Sequence, residues 1–181
     1  MIAALGAGSA IRRAAWALAL VVLLAAGAAS HARARFWRDS ESLYLASLTA
    51  TPRNPVLLYN LGVVQAQQGR VEDAARSYQA ALAIDPEHTA ANTNLGNIQL
   101  RAGHPEQAIE HYRTSLRRDP DDVETLQNLG RVLAWRGEFA EAAAQLERAA
   151  QLAPENLSVR RDLDAVRTAS KRVPVRASAR H

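Results

Sequence analysis

The sequence predicts an all-α solenoid of stacked helix pairs, preceded by one hydrophobic N-terminal helix. Three observations carry that prediction. Asn60-Leu61-Gly62 returns as Asn94-Leu95-Gly96 and as Asn128-Leu129-Gly130, at a spacing of 34 residues both times. Gly69, Gly103 and Gly137 keep the same interval, as do Ala74, Ala108 and Ala142, and Pro86, Pro120 and Pro154. Between these fixed points the apolar residues recur at helical spacing, as in Leu58, Leu61, Tyr78, Ala81 and Leu82. Self-similarity at a fixed interval of this size is the signature of a repeat architecture, in which each unit buries its apolar stripe against the next.

The elements follow in chain order. Residues 1–35 hold a hydrophobic segment. Ala14 to Ala29 is sixteen residues without a charge, with Arg12 and Arg13 before it and Arg33, Arg35 and Arg38 after it. As a helix it spans roughly 24 Å, somewhat short of a ~30 Å hydrocarbon core. Two readings stand side by side. One is a secretory signal, with Ala26-Gly27-Ala28 as a small-residue cleavage site. The other is an uncleaved anchor over residues 14–30, completed by snorkelling arginines. Arginines flank both sides, so the positive-inside rule discriminates weakly; the short, Arg-paired N-terminus fits N-in, C-out in either case. The expected location is the bacterial inner membrane with the repeats on the extracytoplasmic side, or the periplasm after cleavage.

Residues 36–54 read as a half repeat with only the second helix, because Tyr44 and Pro52 lie one period before Tyr78 and Pro86. The full repeats are 55–88, 89–122 and 123–156. In the first, helix A runs from Val56 to Gln68 and helix B from Val71 to Ile84. Gly69 supplies the left-handed residue that ends helix A. Pro86 ends helix B, because the residue before proline is pushed out of the α region. Gly62 and Ala74 are small where A and B approach. Residues 157–170 form one more amphipathic helix, a polar-faced cap with Leu163 and Val166 inward. Residues 171–181 have no periodicity and read as a basic disordered tail.

These residues resemble the tetratricopeptide repeat (TPR), over 55–156 in full and 37–170 with the half repeat and cap. The resemblance implies a TPR α-solenoid that binds a protein or peptide in its concave groove, with no cofactor and no catalysis. Three positions depart from the pattern. Asn92 stands where a large apolar residue is usual, and Gln65 and Gln99 where tyrosine is usual, which predicts looser packing of the first two A helices. A narrower resemblance covers about forty residues. The hydrophobic helix, Phe36 to Tyr44, and the Pro-Arg-Asn-Pro turn at 52–55 are similar to the junction in membrane glycosyltransferases of the transmembrane and TPR-containing O-mannosyltransferase type. It implies, as an alternative, the detached repeat region of such a system, presenting protein substrate to a catalytic partner.

The candidate binding residues lie on the A helices. Asn60, Asn94 and Asn128 form a ladder whose carboxamides can pair with a peptide amide. The resemblance here is to the asparagine ladder of O-linked N-acetylglucosamine transferases. An equal alternative is that these residues bond neighbouring repeats. Helical spacing adds Tyr59, Val63 and Gln67, then Thr93, Asn97 and Arg101, then Gln127, Arg131 and Trp135. Arg101 and Arg131 are suited to a ligand carboxylate, while Arg131 and Arg136 also read as ordinary solvated residues. Trp135 reads equally as a binding anchor or as packing against the cap. His104 and His111 read as a solvated pair without a third metal ligand. Asp121, Asp122 and Glu124 serve a helix N-terminus.

Composition excludes several classes. Cysteine is absent, which removes disulfides, thiolate zinc sites and a cysteine nucleophile. Aromatic residues are 5%, too few for base-stacking platforms. All basic residues but Lys171 are arginine, and with the many alanines this suggests a GC-rich bacterial genome. The net charge of +4 invites a nucleic-acid reading. Yet residues 54–156 carry nine arginines against fourteen acidic residues, a balance of −5. The excess of bases sits in the two ends, beside the hydrophobic segment and in the tail. Nucleic acid is therefore an unlikely partner, and the bases belong with membrane topology.

Overall fold

The computed structural model describes residues 16, 21–24 and 40–172. Every regular element among the described residues is an α-helix. Helix α1 covers 40–50, followed by α2 (Pro55–Gln67), α3 (Val71–Leu82), α4 (Thr89–Arg101), α5 (Pro105–Arg118), α6 (Val123–Trp135), α7 (Phe139–Leu152) and α8 (Leu157–Arg172). The pairs α2–α3, α4–α5 and α6–α7 pack as units, and each stacks on the next through α3–α4 and α5–α6. Helix α4 also touches α6, and α6 touches α8. The A helices therefore line one continuous side of the stack.

The seam inside each pair explains the glycine of the Asn-Leu-Gly motif. A Cβ on Gly62 would lie 2.6 Å from Cε1 of Tyr78, and one on Gly96 would lie 2.7 Å from Cε1 of Tyr112. Both tyrosines are buried, as are Ala74 and Ala108 one turn before them. The aromatic ring thus lies directly against the backbone of the partner helix. Gly69 has φ 79° and makes the sharp reversal between α2 and α3.

The starts of the A helices share a device. Asn54 accepts from the amides of Val56 and Leu57 at 3.0 and 3.1 Å. His88 Nδ1 accepts from Ala91 N, Asp122 from Thr125 N, and Asn156 from Ser158 N and Val159 N. These four caps stand 34 residues apart, so α8 is an A helix in register. Among the described residues no helix B packs behind it, and exposed Asp164 holds the seat that glycine occupies in the full repeats. A charged side chain there disfavours the close helix approach that glycine allows.

The polar departures from the repeat pattern do not loosen the packing. Gln65 is buried and accepts from Ser77 Oγ at 2.6 Å. Asn92 is buried, donates to the carbonyls of Pro86 and His88, and its Oδ1 is 3.0 Å from His111 Nδ1. Gln99 reaches His104 at 3.1 Å. His111 is accordingly half-buried and tied to Asn92, not one of a solvated pair, and burial holds its pKa below the usual 6.5. No buried side-chain nitrogen or oxygen among the described residues lacks a partner.

Helix α1 is joined to the stack by an ion pair of Glu41 with Arg70, which holds the Glu41 carboxyl below its ordinary range. At the other end, Lys171 and Arg172 belong to α8 and not to the tail, and 173–181 lie outside the described residues. The expected membrane segment 14–30 lies outside them too, except for Trp16 and residues 21–24, which are helical and exposed. Among the described residues no helix is long and apolar enough to cross a membrane.

Candidate peptide-binding groove

Two clefts open between successive A helices. The first, about 280 Å³, lies between α2, α4 and the start of α6 and is lined by Tyr59, Asn94, Asp119, Asp122 and Glu124 among others. The second, about 650 Å³, lies between α4 and α6 and is lined by Asn97, Arg101, Glu124, Asn128, Arg131 and Trp135, with Leu100, Pro105 and Val132 as apolar wall. Glu124 belongs to both.

The floor of the second cleft is held from behind. Burial pushes the Tyr112 hydroxyl up to about 12, so it stays protonated and donates to Asn97 Oδ1 at 2.7 Å. Asn128 Nδ2 donates to the same oxygen at 3.1 Å. Asn97 thereby links one repeat to the next. Above this floor stand Arg101 and Trp135. Arg101 forms no ion pair among the described residues. Trp135 is 74% exposed and lines the cleft, so it does not pack against the cap. Arg131 is exposed, with Nε 3.9 Å from Asp162 Oδ2.

The first cleft is built differently. The Tyr59 ring lies 5.8 Å from Tyr78 and 5.0 Å from His88 between ring centroids. Burial raises the pKa of both hydroxyls, that of Tyr78 to about 12, and the Asn94 carboxamide facing them works in the opposite direction. Thr93 lines the floor of this cleft, with its hydroxyl buried in a chain with Ser115 at 3.0 Å and Thr125 at 2.7 Å, closed by Asp122 on Thr125.

Five of the residues expected on the groove therefore meet in one cleft: Asn97, Arg101, Asn128, Arg131 and Trp135. Tyr59, Thr93 and Asn94 share the other. Asn60, Val63, Gln67 and Gln127 line neither. Val63 packs into the core of the first repeat. Gln127 is drawn to the cap by Ser158 at 2.9 Å and Asp162 at 2.6 Å. Asn60 has no side-chain bond among the described residues, Asn94 faces the Tyr59 and Tyr78 hydroxyls of the preceding repeat, and Asn128 donates to Asn97 of the preceding repeat. Sequence reasoning missed Glu124 as a groove residue. Its signal was its place one turn before Asn128, on the same helix face.

Models of the tetratricopeptide repeat match residues 26–89, 65–135 and 123–156, and together they span 26–156. No curated protein matches the chain. Among solved structures, a crystal structure of MamA protein is similar at TM-score 0.67 and 19% identity, over 75% of this chain and 74% of that one. The first TPR of Spaghetti (RPAP3) bound to an HSP90 peptide is similar at TM-score 0.60 and 19% identity, over 64% of this chain and 91% of that one. The Yersinia enterocolitica type III secretion chaperone SycD, in complex with a peptide of the translocator YopD, is similar at TM-score 0.55 and 26% identity, over 61% and 90%.

Proposed function

The chain belongs to the tetratricopeptide repeat family, and from that premise we propose that it is a non-catalytic scaffold that holds an extended segment of a partner protein against α4 and α6. The observation that carries this reading is the second cleft. It combines an exposed tryptophan, an arginine with no ion pair among the described residues and two carboxamides on a floor fixed by Tyr112. Exposed Trp and Arg beside a rigid floor are the composition of a binding centre, since rigid aromatic and guanidinium groups contribute most of the affinity at interfaces. Two of the similar structures hold peptides, which supports the same reading.

A photo-crosslinking residue at position 135, compared with one at exposed Arg117 on α5, tests it in cells. Protein adducts from 135 and few from 117 are expected. Equal adducts from both, or none from 135, contradict a groove scaffold.

The second part of the proposal concerns residues 14–30. We propose that they hold the repeats at the extracytoplasmic face of a bacterial inner membrane, from the uncharged run flanked by arginines. Fractionation with N-terminal sequencing checks it, and a soluble chain starting near residue 29–33 excludes the anchor. The junction that resembles the O-mannosyltransferases offers one variant, in which the partner is the protein substrate of a separate transferase. Co-purification of a multi-span transferase with the full chain supports that variant, and its absence removes it.

A further inference from the structure

We infer that the cleft between α4 and α6 selects an internal peptide segment carrying one carboxylate beside a large apolar side chain. The inference rests on the scaffold reading and narrows it to a ligand class. Hydrogen-bond valences come first. Both lone pairs of Asn97 Oδ1 are taken, by Tyr112 at 2.7 Å and by Asn128 at 3.1 Å. Asn97 is left with its amide donors and Asn128 with its carbonyl acceptor, neither of which has a protein partner among the described residues. One donor and one acceptor, supplied by successive repeats, match the carbonyl and N–H of an extended backbone whatever its side chains.

Charge sets the rest. The cleft carries two cations, Arg101 and Arg131, and one anion, Glu124. With Arg131 facing Asp162, Arg101 is the cation of this lining that has no ion pair among the described residues, which suits one carboxylate and disfavours the two of an acidic residue at a free C-terminus. Arg131 is partly engaged by Asp162, so Arg101 is the receiver. A ligand without a carboxylate would cover that guanidinium and leave it unpaired, which costs more than the contact returns. Trp135 lines the same cleft with 74% of its surface exposed, and Leu100, Pro105 and Val132 complete an apolar wall. That wall takes the neighbouring apolar side chain.

The test pans a phage library of random dodecapeptides on the full chain in nonionic detergent micelles. Enrichment of peptides with a single Asp or Glu next to an aromatic or branched aliphatic residue is expected. For a synthetic, C-terminally amidated peptide from that pool, changing its acid to the amide weakens binding roughly tenfold by fluorescence anisotropy. R101Q and W135A in the protein each weaken it by a similar factor and leave the melting temperature unchanged. Enrichment of basic peptides or of doubly acidic C-termini overturns the assignment and leaves the scaffold reading standing. So does indifference to R101Q and W135A. No enrichment over empty micelles overturns both.

Discussion

The first cleft lies toward the starts of the A helices and the second toward their ends, and they spend their side chains differently. In the first, Tyr59 and Asn94 are part of the packing: the ring lies on Tyr78 and His88, and the carboxamide faces the two tyrosine hydroxyls. In the second, the tie between repeats is sunk to the floor, where Tyr112, Asn97 and Asn128 meet. The residues above that floor, Arg101 and Trp135, hold nothing together. The A helices also differ at the third and seventh positions after the ladder asparagine: Val63 and Gln67, then Asn97 and Arg101, then Arg131 and Trp135. One backbone register therefore supports one cleft built for stability and another built for contact.

The largest effect comes from removing what both clefts share, an aromatic ring against a glycine. Tyr112→Ala empties a fully buried site in the core of the second and third repeats and should cost about 3–5 kcal/mol. Urea denaturation followed by circular dichroism measures it. A loss below 1 kcal/mol would mean that the seam can collapse and that the floor is not rigid.

The contrast between the clefts is sharpest in the pair Tyr59→Ala and Trp135→Ala. The first should cost about 1–3 kcal/mol of stability and the second less than about 0.5 kcal/mol, because only Tyr59 is packed against other rings. Equal losses in thermal melts would erase the distinction.

The asparagine ladder gives a smaller, graded test. Asn128→Ala breaks a bond to the preceding repeat and Asn94→Ala removes a polar contact with the Tyr59 and Tyr78 hydroxyls, so each should cost about 0.5–1.5 kcal/mol. Asn60→Ala breaks none among the described residues and should be close to neutral. Three equal values would show that the ladder acts as a unit independent of these bonds.

The smallest effect is one of pH. Burial lowers the pKa of His111 in the folded chain below 6.5, so the unfolded chain binds the proton more readily. This term is fully favourable above about pH 7 and is lost as pH falls through 6.5 toward the folded-state value. His111→Gln should flatten that part of the stability profile, measured between pH 5 and 8, while Tyr59→Ala leaves its slope in place.

Much of this architecture was legible in the sequence because it is written in residues that act on the backbone. Glycine at 69, proline at 86 and the small residues 62 and 74 set turns, stops and close approach locally, so period alone exposes them. The cap column 54, 88, 122 and 156 was equally periodic, but its residue types vary between Asn, His and Asp, which hid it. The groove was legible as a face and not as a site. Helical spacing placed Arg101, Arg131 and Asn128 correctly on the A helices. It had no way to show that Thr93 turns inward to Ser115 and Thr125, or that Gln127 is pulled to the cap by Asp162. Those fates depend on side chains 22 to 35 residues away meeting across the stack. Asn92 and Gln65 looked like faults for the same reason: their partners lie on another helix.

The central claim is that the α4–α6 cleft is where this chain meets its partner. Backbone amide shifts of the ¹⁵N-labelled chain, recorded on titration with a peptide selected from the dodecamer library, test it most directly. The account predicts that the largest changes fall on residues 97, 101, 128, 131 and 135, with little change on α3, α5 and α7 beyond their first turns. Changes centred on those B helices, or spread evenly over the whole stack, would contradict it.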